Sequence, residues 1–135
     1  MKHSLDKESI QALSNYRLQR AKETMAEAVD IASSAYYNTA VNRLYYACYY
    51  AVNALLIKNN ITVQTHAGVK QMLGLHFVVT QKLAPHYARF YTQLFNYRIA
   101  GDYDDFVSFD KEMLDELIPQ AQDFIRAIEE LIHKS

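Results

Sequence analysis

The 135 residues carry fourteen Lys and Arg against fifteen Asp and Glu, a formal charge of -1, so no overall electrostatic pull toward nucleic acid or an anionic membrane exists. A single cysteine excludes a disulfide framework or a cysteine metal site within the chain, and no apolar run reaches the roughly 18–20 residues of a membrane span. Three Gly and two Pro beside eleven Tyr point to an all-α chain forming one domain over residues 1–135, and the polar N-terminus leads us to expect a cytoplasmic protein.

Ser4 or Asp6 is suited to cap a first helix, in which Ile10, Leu13, Leu18, Ala21, Met25, Ala28 and Ile31 recur at mostly helical spacing through Ser33. A short connection then makes the next helix its antiparallel neighbour. That second helix, over residues 36–59, contains no Gly or Pro and carries three stripes. Ala40, Leu44, Ala47, Ala51 and Ala54 form one; Val41, Tyr45, Cys48, Val52 and Leu55 form another; both belong in a core. Arg43, Tyr46, Tyr50 and Asn53 form the third, and their apolar bodies with polar ends suit a seam between core and water. The helix therefore belongs at the bundle centre, ending near Asn59-Asn60, where asparagine tolerates a left-handed cap.

Thr65 is the expected cap of a third, shorter helix from His66 to about Val78, weakened by Gly74, with Val69, Leu73, His76 and Phe77 inward. Pro85 fits the first turn of a fourth helix carrying Tyr87, Phe90, Tyr91, Leu94, Phe95 and Arg98, and Gly101 is expected to stop it. Ser108 or Asp110 caps a last helix whose Phe109, Met113, Leu114, Leu117, Ala121, Phe124, Ile128 and Leu131 face inward, and Pro119 should kink or split it near Leu117. The expected fold is an up-down bundle of four main helices with one shorter extra helix.

Chemistry concentrates in Tyr97 to Asp105, which joins Arg98 to Asp102, Asp104, Asp105 and two phenols. A left-handed turn at Gly101 would return Asp102 and Tyr103 to the helix end, where Arg98 either forms a bidentate pair with a carboxylate or holds a phosphate. His66, at the start of the third helix, suits an anion site or local hydrogen bonding to an Asp or to backbone. His3, His86 and His133 fall at expected exposed ends. No pair of histidines has metal-ligand spacing, no serine nucleophile elbow occurs, and neither metal nor cofactor is expected.

The ordered combination of NRLYYACYYAVNALL, THAGV and RIAGDYDDF, spread over Ala28 to Phe106, resembles HEPN-domain proteins of the small stand-alone prokaryotic branch. The resemblance implies a four-helix homodimer, often encoded beside a minimal nucleotidyltransferase as a toxin-antitoxin-like pair, and in many members a metal-independent endoribonuclease. Their catalytic motif is an Arg followed a few residues later by a His. Here Arg98 matches the arginine, but Tyr103 stands five positions on where the histidine is expected, and a phenol with a reference pKa of about 10 is a poor proton carrier near neutrality. Nucleotide or RNA binding by Arg98, Asp102, Tyr103, Arg43, Tyr46 and Tyr50 is thus the expected function, with His66 able to supply an imidazole from another helix. A non-catalytic dimerisation or protein-interaction module is the competing expectation, because Tyr and Arg are also enriched at protein interfaces.

Overall fold

The computed structural model describes residues 6–103 and 107–135; Ser4, His3, Asp104, Asp105 and Phe106, named above, lie outside the described residues. Among the described residues the chain forms α1 (Lys7–Ser33), α2 (Tyr37–Lys58), α3 (His66–Leu73), α4 (Pro85–Tyr103) and α5 (Lys111–Lys134), with no strand. No helix among them is long and apolar enough to cross a membrane.

Tie points fix the helix directions. Ser14 Oγ donates to the Ala54 carbonyl at 2.8 Å, Lys58 donates to Gln11, and the Arg20 guanidinium lies over the Tyr50 ring, so α1 runs antiparallel to α2. Asn42 meets Asp102 and Tyr46 meets Arg98, which makes α4 antiparallel to α2 as well. The Phe109 amide meets Asn38 while Ser135 meets Asn59, so α5 runs parallel to α2. The result is the expected up-down bundle, with α2 touching each of the other four helices.

The two apolar stripes of α2 explain that position. Ala40, Leu44, Tyr45, Ala47, Cys48, Ala51, Val52, Ala54 and Leu55 are all fully buried, and the four alanines let α1 and α5 approach closely. Burying each larger aliphatic side chain contributes roughly 1.5–3 kcal/mol.

Local chemistry sets the boundaries. Asp6, Thr65 and Asp110 cap α1, α3 and α5 by accepting from the amides of Ser9, Gly68 and Met113 at 2.7, 2.9 and 2.9 Å. Asn60 closes α2 in the left-handed region at φ 57°.

The boundaries differ from expectation in detail. The third helical segment ends at Val78 as expected, but it is α only to Leu73 and widens at Gly74–Val78 into a π turn, in which the Val79 amide reaches the Gly74 carbonyl at 2.9 Å. Gly101 does not stop α4, which runs to Tyr103, and no glycine adopts a positive φ. Its lack of a side chain instead admits the ring of Phe109, whose Cε2 would lie 3.3 Å from an added Cβ. Pro119 does not divide α5. Leu114 and Leu117 before it and Ala121 and Phe124 after it are buried together, while Pro119 and Asp115, whose carbonyl loses its partner, face water.

Candidate functional site

The third stripe of α2 is half-buried and faces α3 on one side and the end of α4 on the other. Arg98, one turn from the end of α4, points its guanidinium back into this seam, where its side chain is 17% exposed. Its Nη2 donates to the Tyr46 hydroxyl at 3.1 Å, and its Cζ lies 5.5 and 5.6 Å from the ring centres of Tyr45 and Tyr46. Because α4 stays helical through Gly101, Asp102 sits one turn beyond Arg98 rather than folded back over it. Its Oδ2 lies 3.3 Å from Arg98 Nε, near enough for an ion pair but without hydrogen-bond alignment, so the expected bidentate geometry is absent. Asn42 donates to the other carboxylate oxygen at 3.4 Å.

His66 enters the same seam from the first turn of α3. Its ring stacks on Tyr49 at 4.3 Å between centres and its Nδ1 lies 2.7 Å from the Tyr45 hydroxyl. The expected bond to Asp or backbone is replaced by this bond to a tyrosine of α2. Burial pushes the Tyr45 phenol up to about 12, so it keeps its proton, and that fully buried proton finds its acceptor at Nδ1. A neutral ring that accepts this proton at Nδ1 carries its own on Nε2. Desolvation, and after it the positive charge of Arg98, lowers the pKa of His66 and keeps the ring neutral.

The seam thus gathers Arg98, Asp102, Tyr46 and His66, with Arg43 lying 5.1 Å over the Tyr46 ring and the Tyr50 ring further along, tilted by 41° at 6.1 Å from Tyr46. Tyr103 does not join them: it is 79% exposed at the end of α4. Asn42, Tyr45 and Tyr49 complete the cluster without having been singled out from the sequence. Only Tyr45 left a signal, since a phenol placed in a core stripe demands a polar partner. Among the described residues no three His, Cys, Asp or Glu side chains converge as a metal site would need.

A five-helix bundle with its most buried helix at the centre, and an arginine and an imidazole meeting over that helix's tyrosines, defines a class of small α-helical proteins with one polar seam. The HEPN domain model matches residues 14–131, and the chain belongs to the HEPN family. A protein of Thermotoga maritima named only as a UPF0332 protein is 36% identical over 117 residues, 87% of this chain and 89% of that one. A Methanocaldococcus jannaschii protein named "Putative toxin MJ0605" is 33% identical over 126 residues, 93% of this chain and 90% of that one.

Proposed function

We propose that this chain is a toxin-like, RNA-binding HEPN protein that holds a phosphate on Arg98 and stacks neighbouring bases on Tyr46 and Tyr50, with Arg43 flanking them. The observation that carries this reading is the meeting of a guanidinium, an imidazole and tyrosine rings in one half-buried seam. A guanidinium fork matches phosphate oxygens, and phenol faces stack on bases whatever their sequence. Asp102 steadies the guanidinium from its Nε side. The name carried by the archaeal relative supports the toxin-like part; the homodimer and the nucleotidyltransferase partner are carried into the proposal from the family resemblance alone.

His66 supplies from α3 the imidazole that is missing after Arg98. With Nδ1 engaged by Tyr45, the ring offers Nε2–H as a donor. That atom binds a phosphate oxygen well, but it accepts the proton of a 2′-hydroxyl only after the ring changes tautomer. Binding is therefore the role this geometry supports, ahead of cleavage.

The test is fluorescence anisotropy with a labelled single-stranded RNA at several salt concentrations. Wild type binds with salt-sensitive affinity, while Arg98→Ala loses about tenfold or more in affinity, the scale of one charge-assisted contact. An Arg98→Ala protein that binds like wild type at every salt concentration removes Arg98 from the site. A dimer that binds no RNA leaves the interaction-module reading standing.

A further inference from the structure

Among the arginines outside the seam just described, Arg17 faces a pocket. Arg17 on α1 is half-buried, its Nε is sealed from solvent without a hydrogen-bond partner, and among the described residues no carboxylate lies within ion-pair distance of it. Arg20, Arg98 and Arg126 each approach an acid within 4 Å. A guanidinium whose Nε is sealed and unbonded, and which has no counter-charge beside it, has donors free to take an anion.

Arg17 lines a pocket of about 260 Å³ between α1, the end of α2 and the loop that follows it. The walls are mixed: Ile10, Leu13 and Leu56 are apolar, while Asn53 and Thr62 bring hydrogen-bonding groups. Such a lining suits a flat, partly polar body joined to an anion.

The pocket's position gives that ligand an identity. Arg43, Tyr46, Tyr50, Asn53 and Ile57 follow one another at spacings of three and four along α2, so the pocket lies on the same helical face as the seam, beginning one turn beyond Tyr50. Arg20, one turn from Arg17 on α1, stands 5.6 Å over the Tyr50 ring and bridges the two places. Tyr46 and Asn53 are separated by about 10 Å along the helix axis, further than a single base reaches.

We propose that the Arg17 pocket is a second nucleotide subsite, in which Arg17 takes a phosphate and the apolar walls take the base of a strand running along α2 from Arg98. This rests on the RNA-binding reading above and extends it from one phosphate to a track. The track gives a protein of net charge -1 a local line of three arginines, Arg98, Arg20 and Arg17, of which the first two face tyrosine rings.

The full-length protein is titrated with a labelled diuridylate and a labelled hexauridylate over a range of salt. Wild type binds the hexamer more tightly than the dimer. In Arg17→Gln the hexamer loses about tenfold while the dimer is unchanged, and the salt slope for the hexamer falls by about 0.7, the value for one phosphate contact on a single strand. Asn53→Asp brings a negative charge into the pocket while leaving Arg17 in place, and is expected to cause the same selective loss. Arg17→Lys keeps the charge and retains most of the slope, which separates loss of phosphate binding from loss of fold. Hexamer binding by both Arg17→Gln and Asn53→Asp equal to that of wild type overturns the subsite and leaves the Arg98 site intact. Failure of wild type to bind either RNA overturns both.

Discussion

Gly68 lies three residues past the Thr65 cap of α3, and its replacement by alanine sets two effects against each other. Helix propensity alone favours alanine in a helix interior by roughly 1 kcal/mol. The structure opposes it: a Cβ at position 68 would lie 2.5 Å from Val63 Cγ1 and 2.8 Å from Thr65 Oγ1, the atom that accepts from the Gly68 amide. Forcing an extra methyl into packed surroundings costs about 1–3 kcal/mol. Displacing the cap costs about 0.5–2 kcal/mol more. The clash outweighs propensity, and Gly68→Ala is expected to destabilise the protein by about 1–3 kcal/mol in urea unfolding followed by far-ultraviolet circular dichroism.

The loss carries a functional mark, because the strained turn begins with His66: the stack on Tyr49 and the bond to Tyr45 should loosen with it. Gly74→Ala is the matched control. No heavy atom lies within 4 Å of a Cβ there and the backbone is already helical at φ -62°, so that change should stabilise by about 0.5–1 kcal/mol. A Gly68→Ala protein as stable as wild type, or more so, would refute the packing argument for how α3 presents its histidine.

Two further outcomes follow from the buried groups. His66 is held below its usual pKa by desolvation and by the charge of Arg98, so between its folded pKa and 6.5 the unfolded chain binds more protons than the folded one. Stability therefore rises with pH across that window and is lost as the pH falls through it. Arg98→Ala should move the NMR titration of His66 upward toward 6.5, and an unchanged or lower midpoint would separate the two residues. Cys48 is fully buried and burial raises its thiol pKa far above the usual range, so iodoacetamide should modify it only as fast as the bundle opens. Rapid alkylation of the folded protein would contradict the placement of α2.

Sequence alone determined the helical class, the central place of α2 and the cap of α3, and narrowed the caps of α1 and α5 to two residues each. Each of these follows from short-range rules: side chains repeating every three or four residues, hydroxyl or carboxylate groups at helix starts, and few breakers. The same rules misjudged Gly101, whose local preference yields to the ring of Phe109, and left open whether Pro119 splits α5, which the buried stripe on both sides of it keeps as one helix. The candidate site was half visible. Arg98, Tyr46 and His66 stood out as residue types, but no histidine follows Arg98 within α4, and the partners that join them come from other helices.

Only the tertiary structure brought His66 and Arg98 together over the rings of Tyr45 and Tyr46, through contacts spanning 21 and 52 residues of chain. It alone singled out Arg17, whose meaning lies in what it does not touch. Periodicity reports which face of a helix is dry. Which neighbour covers that face, and which charge is left uncompensated there, is decided when helices far apart in the chain pack against one another.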